Sequence, residues 1–381
     1  MPHIAHVDAI KLLDTEGFSL HRRGRFLSIH LKKPHLTLST SHVNGGQSEQ
    51  VTYLLNHQSC EGKGHMGRHD ALEGQGQEAY HRSTCGEAGI PAEATAMMGT
   101  AANMQYASVR EESFEEVSVW AVATAGVQGN AGRAGDPATW HESSGNGKPL
   151  HAIPGTINIM LLFNWPLLAN ALAGSVATLT EAKTAALLEL AVPSRYSPHL
   201  ATGTGTDQFC VTSPLDGARK PKTWTGKHSK LGEILGRAVT DAVKEALRWQ
   251  NGLEPSHTRN LIHALGRFGL TEAGLLEAAG MHLSEKDRDL FRANIQAVVH
   301  EPLVAGAAYA LAAVFDRIAF GTLPESSGRE LLANQAAMMA AGLAAKSEAY
   351  PAFRVALVAD DRDLPALTAM ALALGWREKW K

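Results

Sequence analysis

Three cysteines, Cys60, Cys85 and Cys210, in 381 residues are too few, and odd in number, for a disulfide framework. No apolar run reaches bilayer length: the longest, Leu303–Phe315, is 13 residues and Ala-rich. Met1–Leu13 has neither a basic start nor an apolar stretch of signal-peptide length. An excess of one charge is also missing. Lys and Arg number 35 against 38 Asp and Glu, a formal net charge of −3, which gives no electrostatic grip on nucleic acid or an anionic membrane. These absences predict a cytoplasmic protein with no nucleic-acid or membrane partner. Hydrophobic residues make up 44% and charged residues 19%, which is ordinary for a chain with a real core.

Composition changes near residue 251. Before it, Gly, Thr and Asn cluster around short β-like runs; after it, Ala, Leu, Glu and Arg recur at helical spacing, as in Thr258–Phe268, Leu276–His282, Leu303–Phe320 and Glu330–Ala345. The reading is an α/β or α+β mixed-sheet domain over residues 1–251, followed by an all-helical C-terminal region, residues 252–381. Its Ala-rich stripes would bury against the first domain or a second copy of the chain, making a homo-oligomer.

Strands are expected at Val117–Thr124, at the nearly all-apolar Thr156–Phe163 and at Asp207–Thr212, and Phe26–Leu31 with Leu36–Ser39 suggests a hairpin around Pro34. Helices are expected at Trp165–Ala173, at Leu179–Leu190 behind a Thr178/Glu181 capping box, and at Ser229–Trp249, where Leu231, Ile234, Leu235, Ala238, Val239 and Ala242 share a face. Cys60–Gly89 and Asp136–Pro149 read as irregular.

The informative feature is a set of recurring phrases: MMGTAANM (97–104), TAGVQGNAG (124–132), PGTINI (154–159), TEAK (180–183) and ATGTGTDQ (201–208). Each sets small residues and a hydroxyl, amide or charge beside an apolar element, so that backbone can approach a ligand closely. Turn chemistry uses the same residues, but five such phrases in one domain point to a shared pocket. GTGTD lacks the Lys–Ser/Thr of a P-loop. Cys60, His65, His69, His81 and Cys85 have zinc-binding atoms, but the Gly-rich chain between them lacks a CxxC pair, and no metal is expected.

Together with NGGQSEQVTYLLN (44–56), GTINIMLLFN, TEAKTAALLEL and GKHSKLGE (226–233), in this order and spacing, these phrases resemble the adenosylcobinamide amidohydrolase family. The resemblance runs from about Gly24 to Leu247. The segment Cys60–Gly89 is longer and richer in His than the family pattern, and the helical tail lies outside it. The resemblance implies a hydrolase that cuts the amide between the corrinoid and aminopropanol of adenosylcobinamide. The product would be adenosylcobyric acid, for salvage or remodelling of cobamides, with the corrinoid as substrate and no cofactor required.

Amide hydrolysis needs an activated nucleophile, a stabilised oxyanion and a proton for the leaving amine. On the implied chemistry Glu181 is the candidate base, or else a capping carboxylate. Lys183 is the candidate oxyanion partner, or a contact to a polar corrinoid arm, or a solvated helix residue. Asp207 orients a base or holds water, or else closes a turn, and His228 either protonates the amine or simply starts a helix. Asn44, Asn56, Thr124, Asn130 and Asn158 match the amide arms of a corrinoid, while Thr180 and Thr204 serve as binding groups or nucleophiles. Two other functions fit the same residues: a non-catalytic corrinoid-binding or delivery protein, and a hydrolase of a different amide with a threonine nucleophile.

Overall fold

Residues 9–60, 74, 76–138, 155–358 and 363–381 are described by the computed structural model. The chain forms two units, Met1–Tyr196 with Leu200–Leu253, and Ser197–His199 with Glu254–Lys381. Strands β1 (Ile10–Asp14), β2 (Phe18–Arg23), β3 (Phe26–Leu31), β4 (His35–Ser39), β5 (Gly46–Ser48) and β6 (Tyr53–Gln58) open the first unit. Helix α1 (Gln77–Ala88) follows, then β7 (Thr95–Thr100), β8 (Ser108–Phe114), β9 (Val117–Ala125), β10 (Ala131–Gly132) and β11 (Ile157–Phe163). Helix α2 (Ala169–Glu189), β12 (Gly203–Thr204), β13 (Gln208–Pro214) and helix α3 (Lys230–Asn251) complete it.

Two sheets result, in the orders β1-β2-β3-β6-β7 and β5-β4-β13-β11-β9-β8, with β10 and β12 as a separate two-stranded ribbon. Each is mixed, since β6 and β7 run parallel, as do β11 and β13, among otherwise antiparallel neighbours. Alternation along the strands sets the layers. In β9 and β11, Val119, Ala121, Ile159 and Leu161 face α2 and α3, joining Leu179, Ala186, Leu235 and Val239 in one core. Their neighbours Trp120, Val122, Met160 and Leu162 face the other sheet and meet Leu27, Ile29, Leu54 and Met98. A strand buried on both faces must be apolar throughout, and INIMLLF is, apart from Asn158. On α3 all six residues of the predicted stripe are buried.

Three expectations are corrected. First, Phe26–Leu31 and Leu36–Ser39 are strands but not a hairpin: β3 pairs with β2 and β6, and β4 with β13 and β5. Four of the five β4 residues are buried, more than an edge hairpin would allow. Second, Trp165–Ala173 and Leu179–Leu190 are not separate helices. Leu168 is the N-cap of α2, so Thr178 and Glu181 lie inside it and form no capping box; Ala and Leu on either side give the helix no reason to break. Third, α1 lies within the stretch read as irregular, its signal weak because only Tyr80, His81, Thr84 and Cys85 are buried. His65, His69 and residues 139–149 lie outside the described residues.

All the secondary structure among the described residues of the second unit is helical. Leu275, Phe291, Val304, Leu311, Met339 and Trp376 are among its core. Arg267, 4% exposed, grips Asp316 through two bonds of 2.7 and 2.6 Å, the bidentate geometry that suits a guanidinium. Thr258–Phe268 is broken in two by Asn260, whose Oδ1 caps Leu261–Leu265. The apolar run at Leu303 belongs to an 18-residue helix, Pro302–Ala319, which by length and composition alone could cross a membrane; 33% of it is buried here.

Candidate active site

The start of β13 lies beside the start of β11, with Gln208 opposite Asn158, and the antiparallel β9 ends there too. Asp207, one residue before β13, is thereby set against the backbone of Ile157 and against α2. Its Oδ1 accepts from the Ile157 amide at 3.1 Å and from the Thr204 hydroxyl at 2.6 Å, and its Oδ2 accepts from the Thr204 amide at 3.1 Å. Lys183, from the buried side of α2, completes the shell with an ion pair to Oδ2. Side-chain exposures of 11% for Lys183 and 18% for Asp207 leave the pair largely desolvated, so its charge-assisted bonds are worth more than surface ones. The carboxylate has about four acceptor positions, and four donors fill them.

A side chain at position 203 would displace the charged pair. A Cβ there would lie 2.4 Å from Asp207 Oδ2 and 2.7 Å from Lys183 Nζ. At the GTGT turn the missing side chain lets the protein's own charged groups approach the backbone.

Around this pair opens a cavity of about 700 Å³. Thr180, Lys183 and Thr184 line it from α2, Thr204 and Asp207 from the GTGTD turn, and Asn130 and Tyr196 from the loops. Asn130 Nδ2 donates to the Gly155 carbonyl at 3.2 Å, and its Oδ1 accepts from the Tyr196 hydroxyl at 2.7 Å. Asp136 accepts from the Arg133 amide at 2.7 Å and the Ser194 hydroxyl at 2.5 Å, shaping the rim. Among the described residues of the lining, Arg133 and Lys183 balance Asp136 and Asp207.

Five of the residues singled out in the sequence therefore share one cavity: Asn130, Thr180, Lys183, Thr204 and Asp207. Others are not brought there. Glu181 is exposed and paired with Lys227, and His228 is exposed beside the Ser229 cap of α3. Residues two apart on a helix are separated by roughly 200°, so Lys183 and Glu181 face opposite ways. Asn56, Thr124 and Asn158 lie between the two sheets. Asn56 Nδ2 donates to Thr124 Oγ1 at 2.8 Å, and Asn158 Nδ2 donates to Asn56 Oδ1 at 2.9 Å and to the Gly99 carbonyl at 3.0 Å. Asn44 has a φ of 55° and donates to the carbonyls of Ala92 and Thr95.

Tyr196 and Asp136 were missed. Tyr196 sits in RYSPHL, which has neither glycine nor a strand end to mark it, and Asp136 fell in a stretch read only as irregular. Burial pushes the Cys85 thiol up to about 11 and that of Cys210 up to about 12, so neither is a thiolate nucleophile near neutral pH. His81 and Cys85 lie one turn apart on α1, but His81 Nε2 is committed to the Ala92 carbonyl at 2.9 Å. Among the described residues no group of three or more His, Cys, Asp or Glu could hold a metal.

A family model and one of two related proteins name the same family. Residues 11–255 match the model of the adenosylcobinamide amidohydrolases. An uncharacterized protein of Methanocaldococcus jannaschii is 38% identical over 185 residues, covering 46% of this chain and 71% of the relative. An adenosylcobinamide amidohydrolase of Methanosarcina mazei is 29% identical over 214 residues, covering 54% of this chain and 86% of that protein. The matched span takes in both sheets and every cavity residue, and the chain belongs to the adenosylcobinamide amidohydrolase family.

Proposed function

We propose that this chain is a cytoplasmic enzyme of corrinoid salvage or remodelling that hydrolyses the amide between the corrinoid and aminopropanol of adenosylcobinamide. The products are aminopropanol and adenosylcobyric acid. One observation carries the reading: in a chain of this family, the Thr204 hydroxyl, the Asp207 carboxylate and the Lys183 ammonium form a contiguous chain on the wall of a cavity. A volume of about 700 Å³ is that of a small-molecule site. It takes the amide-bearing arm while the macrocycle lies over its mouth.

The geometry favours Thr204 over free water as the attacking group. Asp207 has no acceptor position left for a water, but one of its bonds is to the Thr204 hydroxyl at 2.6 Å, within the reach of a nucleophile–base pair. Thr204 Oγ1 bonds to the carbonyl carbon as its proton passes to Asp207, and Lys183 faces the oxygen that gains charge. The carbon–nitrogen bond then breaks and the amine leaves with a proton. Water hydrolyses the Thr204 ester, so that amide and water become acid and amine. No ATP and no added cofactor enter this balance. Glu181 and His228 have no part in it.

The test is incubation of the purified chain with adenosylcobinamide, without ATP, followed by chromatography for both products. Release of adenosylcobyric acid and aminopropanol is expected. Absence of product at high enzyme concentration contradicts the reading, and tight binding without turnover favours a corrinoid-delivery protein instead.

A further inference from the structure

Gly132 of β10 and Gly203 of β12 are directly opposed in an antiparallel ribbon. Opposed residues project their Cβ positions to the same face, about 4.5–5.5 Å apart. Neither glycine has a side chain, and other groups occupy both spaces. A Cβ on Gly132 would lie 3.3 Å from Cδ2 of Tyr196, and one on Gly203 would lie 2.7 Å from Lys183 Nζ. The ribbon therefore packs the edge of the Tyr196 ring over one glycine and the Lys183 ammonium over the other, and both residues line the cavity.

Hydrogen bonding fixes what the phenol can offer. The Gly155 carbonyl can only accept, so Nδ2 is the atom that Asn130 turns toward it, at 3.2 Å. Oδ1 of Asn130 is then left to face Tyr196, and it takes the hydroxyl proton at 2.7 Å. With its proton committed, the Tyr196 oxygen has only lone pairs for a ligand. Lys183 is the reverse, a donor without acceptor capacity. A secondary amide needs both, an acceptor for its N–H and a donor for its carbonyl, which lie on opposite edges of the planar group.

We propose that the Tyr196 hydroxyl oxygen accepts the N–H of the scissile amide while Lys183 faces its carbonyl, an inference that rests on the amidohydrolase reading above. Tyr196 is then a substrate contact that selects amides over esters, because an ester sets an oxygen lone pair against the phenol oxygen.

The experiment compares the full-length protein and its Tyr196→Phe variant on adenosylcobinamide and on the matching ester, in which oxygen replaces the amide nitrogen. Phenylalanine keeps the ring over Gly132 and removes only the oxygen. For the amide, kcat/KM is expected to fall about 5- to 10-fold, the scale of one neutral hydrogen bond. For the ester, intrinsically the easier bond to break, it should stay level or rise. An equal fall on both substrates would mark Tyr196 as merely structural, and no fall on either would show that it does not touch the amide; each result overturns the proposal. Failure of the unaltered protein to cleave adenosylcobinamide would instead overturn the function on which it rests.

Discussion

Two clusters in the first unit are built from the same kinds of residue at the same strand ends, and they do opposite work. Between the sheets, Asn56, Thr124 and Asn158 are each 1% exposed or less and bond to one another and to the Gly99 carbonyl. Three amide N–H bonds from Asn56 and Asn158 are spent on the protein, while Asn158 Oδ1 finds no partner among the described residues, and what the bonds secure is the register of two sheets in an otherwise apolar layer. On the other side of β11, the Thr204–Asp207–Lys183 chain and the Asn130–Tyr196 pair line a cavity, with the lone pairs of Tyr196 and the remaining protons of Lys183 still to place. The lesson is that residue type at a strand end does not separate scaffold from site. The face of the strand does.

That contrast breaks if the clusters respond alike to substitution. The largest expected effect is on the cavity side: Thr204→Ala should lower kcat by two orders of magnitude or more, the scale of removing a positioned group in acid–base and nucleophilic catalysis. Thr204→Ser, which keeps the hydroxyl, should recover much of it. Steady-state kinetics with thermal melting alongside would show a loss of rate without a loss of fold. Next comes the scaffold cluster. Asn158→Ala leaves Asn56 Oδ1 and the Gly99 carbonyl without a donor, at a cost of about 1–3 kcal/mol by chemical denaturation, while activity per folded molecule stays unchanged. The smallest effect is at Glu181, whose ion pair with Lys227 is more than half exposed on both sides. Glu181→Gln should shift stability by less than about 1 kcal/mol and leave turnover near that of the unaltered chain, measured in the same assays. A large fall in its rate would return the general base to that residue.

The sequence disclosed what local pattern controls. Strand β9 was visible in the β-branched and aromatic residues of VSVWAVAT, β11 in an apolar run with one interruption, and α3 in a stripe of six residues, all buried. Pairing was not visible, because β4 joins β13 across more than 170 residues and nothing at either position specifies the other. The site divides in the same way. Lys183, Asp207 and Thr204 stood out as charges and hydroxyls among small residues, and they meet at one carboxylate. Glu181 stood out for the same reason, but where α2 begins decides whether it lies in a first turn or on the outer face, and the Thr178-x-x-Glu181 pattern pointed to the wrong start. Tyr196 had no local signal, since only the ribbon of Gly132 and Gly203 gives its ring a place.

The central claim is that the Lys183–Asp207 pair drives hydrolysis of the corrinoid amide. Changing Lys183→Met and Asp207→Asn together removes both charges and strands neither, so the fold is kept where either single change would leave a buried charge alone. The deciding measurement is aminopropanol release from adenosylcobinamide by this double variant beside the unaltered protein. The account predicts a protein that still folds, with a melting temperature lowered by the one backbone N–H that the new amide nitrogen cannot accept, and that releases nothing above background; release at an undiminished rate would contradict it.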